Sequence, residues 1–152
     1  MRAVVQLVTV GAPPASDREG EAVAAALAAA GVPATTRAFV DDDEPALERV
    51  LAQEATLTVI VAGAGGSEGE AVRRALARLA GARLVLNERM HAALEEASRL
   101  RDRPLPRRAE RLALLPQGAV LWPTGQGEPG WLVETTRGAV AVIPRAAAIP
   151  DL

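Results

Sequence analysis

The apolar run Val59-Ile60-Val61 passes through Ala62-Gly63-Ala64-Gly65-Gly66 into Ser67-Glu68-Gly69-Glu70, and this stretch constrains the fold more than any other. Consecutive β-branched residues favour a strand, the glycines permit a turn that other residues resist, and the residues from Ser67 open a helix. A glycine-rich turn between a strand and a helix leaves backbone N–H groups and a helix N-terminus facing one point, the usual way an α/β protein holds a phosphate. Segment 62–70 is therefore the first candidate ligand site, with Gly63, Gly65, Gly66 and Ser67 as its binding residues. Without a ligand, the same glycines make a plain tight turn, and Ser67 with Glu70 makes an S-x-x-E capping box that serves stability alone. Both readings stay open at this level.

The flanking sequence repeats the strand-then-helix pattern. Residues 4–10 are rich in valine with too little alternation for a half-exposed strand, which predicts a strand buried on both faces, as in a parallel sheet. After Gly11-Ala12-Pro13-Pro14, Ser16 and Glu19 form a capping box for a helix carrying Val23 and Leu27 that stops at Gly31. A strand over 34–40 leads to Asp41-Asp42-Asp43, one of which caps a helix bearing Leu47, Val50 and Leu51. A third strand, 57–62, reaches the glycine turn; a helix with Val72, Leu76 and Leu79 follows to Gly81, then a short strand over 84–86 and a helix capped by Asn87. This alternation predicts a three-layer α/β/α fold with a mostly parallel sheet. Beyond Pro104 and Pro106 the pattern changes to strands over 119–122, 130–135 and 138–143. The last two meet at a tight turn at Arg137-Gly138, which predicts a C-terminal β-hairpin grafted on the α/β body.

Composition narrows the chemistry. With 152 residues, 49% of them hydrophobic, the chain reads as a single domain over 1–152, able to bury roughly two thirds of its unfolded surface without cross-links. It has no cysteine, which removes disulfides, thiolate metal sites and cysteine nucleophiles, and a cytoplasmic location is expected. Every cationic side chain is arginine, there is no tyrosine, and His91 is the single histidine, so Schiff-base chemistry, a Walker-type lysine and His-rich metal sites are excluded. The apolar start is short and lacks a cleavage site, and nothing approaches the roughly eighteen apolar residues of a membrane span, so no membrane partner is expected. A net charge of -2 argues against nucleic-acid binding. Arg99, Arg101, Arg103, Arg107, Arg108 and Arg111 nevertheless stand against only Asp102 and Glu110, either as a solvated helix end and linker or as an anion-binding edge.

An ordered set of segments is similar to the molybdopterin-binding fold family, which includes the molybdenum-cofactor biosynthesis proteins of the MoaB/Mog type and the N-terminal domain of CinA, the competence-damage protein. The family motif G-G-x-G-x-T-x-x-D falls without a gap on the nine residues from Ala62 to Glu70. The CinA-like pattern V-G-D-D-E matches Val40-Asp41-Asp42-Asp43-Glu44, A-L-L-P-E-G-A matches Ala113-Leu114-Leu115-Pro116-Gln117-Gly118-Ala119, and G-T-A-P-G-F matches Gln126-Gly127-Glu128-Pro129-Gly130-Trp131. The resemblance spans nearly the whole chain and leans to the CinA branch. There are departures. Ala62 replaces the first glycine, Ser67 the threonine and Glu70 the aspartate, while the G-D-E-L-L-x-G element is reduced to Gly11-Ala12-Pro13-Pro14-Ala15 and L-P-G-x-P to Ile143-Pro144-Arg145-Ala146-Ala147.

The resemblance implies that the chain binds molybdopterin or a nucleotide through its phosphates. It also implies that Asp42 and Glu70 are the surviving acidic residues, catalytic and Mg²⁺-binding if nucleotidyl transfer or pyrophosphate hydrolysis is retained, and that the protein is a homo-oligomer. The departures imply the alternative, a degenerate paralogue that keeps the scaffold for oligomerisation or partner binding. Each residue also has a plainer role: Asp41 to Asp43 as an N-cap cluster complementing the helix dipole, and His91 as a satisfied surface histidine. Trp122 and Trp131 either pack the hairpin on the sheet or form a stacking wall for a pterin or adenine.

Overall fold

The computed structural model describes residues 4–12, 14–63, 66–100, 102, 104, 107–122 and 129–144. Strand β1 (Val5–Val10) is buried at all six positions, as a strand covered on both faces must be. Its two polar members are satisfied internally. The Gln6 amide donates to the Val50 carbonyl at 3.3 Å and accepts from the Thr58 hydroxyl at 3.3 Å, while Thr9 donates to Asp17.

Helix α1 (Arg18–Ala29) follows, then β2 (Thr36–Val40), α2 (Glu44–Leu51), β3 (Leu57–Ala62), α3 (Gly66–Ala80), β4 (Leu84–Leu86), α4 (Glu88–Leu100), β5 (Leu114–Pro116), β6 (Val120–Trp122), β7 (Gly130–Thr135) and β8 (Gly138–Pro144). Among the described residues the main sheet has six strands, in the order β2-β1-β3-β8-β7-β6. The first four run parallel, and β7 and β6 are antiparallel additions. On one face Val23 and Leu27 of α1 pack on Val5, Leu7, Val59, Val61 and Ile143. On the other, α2, α3 and α4 share one apolar cluster with Val8, Ile60, Val133, Val140 and Val142. The three-layer α/β/α architecture is thus the one expected. No helix among the described residues is long and apolar enough to cross a membrane.

Three expectations are corrected. The C-terminal hairpin forms as expected, β7 pairing antiparallel with β8 from Trp131↔Val142 to Thr135↔Gly138, but it is not grafted on: β8 also pairs in parallel with β3 from Leu57↔Ala139 to Ala62↔Pro144 and lies inside the sheet. Its unbroken run Ala139-Val140-Ala141-Val142-Ile143 is the composition of a strand buried on both faces. Strand β4 stands outside the main sheet and pairs antiparallel with β5, from Leu84↔Pro116 to Leu86↔Leu114. Finally, the cap of α1 is Asp17 and not Ser16, which lies in a short 3-10 turn, Pro14–Ser16. The Asp17 carboxylate accepts from the Gly20 amide at 3.0 Å, and a Cβ at Gly20 would collide with that carboxylate.

Two other helix starts differ in detail. Asn87 caps α4 as expected, accepting from the Met90 amide at 2.9 Å. Asp43 occupies the cap position of α2, but its side chain makes no capping hydrogen bond, and Pro at the helix start supplies the preset φ.

Candidate functional site

The four parallel strands end on one edge of the sheet, the edge at which open α/β sheets receive ligands. Strand β3 leaves the sheet there through Ala62 and Gly63, and α3 begins at Gly66, so the glycine turn lies on the carboxyl edge. Gly63 is half-buried and Gly69 buried. Gly65 lies outside the described residues, as does the side chain of Ser67. Because α3 begins at Gly66, Gly66 and Ser67 belong to its first turn, and Ser67 is not the cap.

Beneath the turn, on the α3 side of the sheet, is a cavity of about 30 Å³ bordered by Ala62, Gly63, Gly69, Arg73, Trp131 and Pro144. Three of the segments compared with the family converge here: the glycine motif, the Pro129-Gly130-Trp131 stretch and the end of β8 meet at one space. Met90 and Leu94 of α4 close it from outside the sheet. Trp131, 5% exposed, belongs to the core cluster. Trp122 lies opposite Gly130 and Leu121 opposite Trp131, so the two tryptophans point to opposite faces of the sheet and form no common wall.

Asp42 is exposed just beyond β2. Glu70 lies in the first part of α3 with its side chain 39% exposed, 3.6 Å from Arg74. The strands that lead to these two residues, β2 and β3, are not neighbours: β1 lies between them, which sets the two strand ends about 10 Å apart. Glu44 is 3.5 Å from Arg74 and 3.3 Å from Arg78, and Arg78 donates to Glu48 at 2.7 Å, so the carboxylates of α2 and the arginines of α3 form a surface ladder. The Glu48 hydrogen bond, with the charges of Glu44 and Glu48, raises the Arg78 pKa above the ordinary guanidinium value. Among the described residues, no group of three or more His, Cys, Asp or Glu side chains is placed to hold a metal. His91 is half-buried and 3.3 Å from Glu95 on its own helix. Arg99 pairs with Glu96 at 2.7 Å, whereas Arg101, Arg103 and the side chains of Arg107 and Arg108 lie outside the described residues.

Two features escape sequence reasoning. Arg73 is 6% exposed and borders the cavity. Its signal was present, since Gly69, Val72, Arg73 and Leu76 fall on one helix face and three of the four are small or apolar. The second is Asp17, 2% exposed, whose carboxylate takes the Thr9 hydroxyl, the Gly20 amide and the Arg37 guanidinium.

An open, mostly parallel sheet with a glycine turn on its carboxyl edge and an antiparallel extension defines an α/β domain of the kind that receives ligands at that edge. Residues 9–145 match the family model described as "Probable molybdopterin binding domain", and the chain belongs to that family. Within it the chain is 35% identical over 114 residues, 73% of its own length, to a CinA-like protein of Geobacter sulfurreducens. It spans 28% of that longer relative. The fold is similar to the crystal structure of CinA, described as of unknown function, from Thermoplasma acidophilum, with a TM-score of 0.74 at 16% identity over 95% of this chain and 89% of that one. It is also similar to the molybdopterin biosynthesis enzyme MoaB of Thermus thermophilus, with a TM-score of 0.54 at 17% identity over 94% of this chain and 81% of that one. The chain is thus a member of the molybdopterin-binding-domain family, similar in sequence to a CinA-like protein and in fold to CinA and MoaB.

Proposed function

We propose that this domain binds a phosphorylated small molecule, a molybdopterin-type pterin or a nucleotide, at the 62–70 turn. The observation that carries the reading is the passage of β3 through Gly63 into α3 on the carboxyl edge of the parallel strands. Amides of Gly63, Gly65, Gly66 and Ser67 would donate to the phosphates, helped by the positive end of a fifteen-residue helix. Transfer or cleavage of a phosphate ester needs charge neutralisation and in-line positioning more than a covalent nucleophile, which suits a chain without cysteine or lysine.

Asp42 and Glu70 are the residues that would hold Mg²⁺. Both carboxylates reach solvent, and the 3.6 Å spacing from Glu70 to Arg74 is longer than a strong charge-assisted hydrogen bond, so Glu70 can exchange partners. Two carboxylates would leave most of the shell to water and ligand phosphate oxygens, which is how Mg²⁺ is commonly held. A bound ion would neutralise charge developing on the phosphate.

A second reading, a non-catalytic scaffold for self-association or partner binding, is favoured by one observation. The one carboxylate in the segment after β1, Asp17, is buried and committed to Thr9, Gly20 and Arg37. Self-association belongs to both readings, and sedimentation of a lone protomer at high concentration would remove it from both.

Thermal shift with molybdopterin-type ligands, ATP, ADP and ADP-ribose, each with and without Mg²⁺, separates the readings. A ligand in excess stabilises by RT ln(1 + [L]/Kd), and Gly65→Val should abolish that gain with the fold retained. A flat panel leaves the scaffold reading.

A further inference from the structure

Helix α3 turns Gly69, Val72, Arg73 and Leu76 inward, and Arg73 is the only charged side chain of the four. A guanidinium 6% exposed is rare unless it is paired or has a purpose. Arg73 borders the cavity under the glycine turn, where the surrounding walls are Ala62, Met90, Leu94, Pro129 and Trp131. Apolar walls lower the local dielectric and strengthen whatever charge interaction forms there. The next residue, Arg74, is 54% exposed and turned to Glu44 and Glu70.

From this we infer that Arg73 is an anion-recognition residue, its guanidinium taking a phosphate-class oxyanion of the ligand from beneath the glycine turn. The inference rests on the proposed binding of a phosphorylated ligand at that turn. Arg73 already has an interaction within the chain. A guanidinium carries five N–H donors in a fixed fork, enough to share between an internal partner and two oxygens of a phosphate. The cavity volume of about 30 Å³ gives room for one or two water-sized groups, such as phosphate oxygens.

Trp131 borders the same cavity and Trp122 faces the other side of the sheet, so Trp122→Phe leaves Trp131 as the sole tryptophan reporter. In that background, titration with ADP or inorganic phosphate should change the Trp131 emission and raise the melting temperature together. Arg73→Met keeps the bulk and removes the charge. It should weaken ADP binding on the order of tenfold to a hundredfold, the loss expected for a charge-assisted hydrogen bond. Arg73→Lys, which keeps the charge without the fork, should recover part of it and covers the case in which the methionine variant fails to fold. Stabilisation by ADP with a silent Trp131, or with affinity unchanged in a folded Arg73 variant, overturns the role of Arg73 and leaves ligand binding standing. Absence of any stabilisation in the wild type overturns both.

Discussion

The Thr9 hydroxyl donates to the Asp17 carboxylate across 2.7 Å with both residues buried, joining the end of β1 to the first turn of α1. Arg37 of β2 reaches the same carboxylate at 3.0 Å and also pairs with Glu21, so three elements meet at one anion. Asp17→Ala should cost about 3 kcal/mol, because it removes a cap, leaves the buried Thr9 hydroxyl without its acceptor and takes from Arg37 one of its two carboxylates. Thr9→Val should cost about 1 kcal/mol. Urea denaturation monitored by far-UV circular dichroism measures both.

Gly138 stands at φ +132°, where a Cβ would collide with the carbonyl oxygens of Ala55 and Thr56. Gly118, at φ +91°, has open space around it. Gly118→Ala should cost about 1 kcal/mol from backbone strain alone, and Gly138→Ala clearly more, because the β7–β8 turn must move away from the start of β3. Thermal melts of the two variants side by side check the ordering.

Glu70→Gln and Asp42→Asn should separate binding from stability. Glu70 loses only a partly exposed i,i+4 contact with Arg74, worth at most about 0.5 kcal/mol. If the carboxylates hold Mg²⁺, the extra stabilisation that the ion confers on nucleotide binding should disappear in both variants, with the Mg²⁺-independent part retained. Calorimetric titration of ADP with and without Mg²⁺ gives the answer. Retention of the full Mg²⁺ effect in both variants would remove these residues from the metal site.

The ladder of Glu44, Glu48, Arg74 and Arg78 lies at the surface and should contribute little. Arg78→Ala should lower stability slightly at low salt and not at all in 1 M NaCl, where the Debye length is about 3 Å. The raised pKa of Arg78 means that its contribution is present below the guanidinium's unfolded value and is lost only as pH rises through the folded one. Stability should therefore show no dependence on this residue across neutral pH. Denaturation midpoints at two salt concentrations and at pH 6 and 8 test this.

Much of this fold was legible because burial and period coincide. The strand 57–62 and the cap at Asn87 fall where pattern reasoning puts them, since each has a local cause. The parts that escaped depend on distant partners. A run such as Leu84-Val85-Leu86 suits any strand, and nothing local says that it pairs with Leu114–Pro116 instead of joining the main sheet. The same holds for β8, whose parallel pairing with β3 is invisible to a hairpin rule. Asp17 displaced Ser16 as cap because its carboxylate serves Thr9 and Arg37 at once, a tertiary gain with no trace in the capping motif. At the candidate site the glycine turn was readable, whereas Arg73 was hidden by the habit of assigning arginine to solvent.

The place of β8 also sets the order in which this protein can assemble. Leu57 meets Ala139 only after more than eighty intervening residues have been synthesised. Until then, the valine-rich flank of β3 has no permanent neighbour on that side. Closing so long a loop is slow, and an open edge of this composition invites pairing with other chains. A nascent polypeptide of this kind should depend on chaperones until its last strand emerges, and then complete its sheet in a single late event.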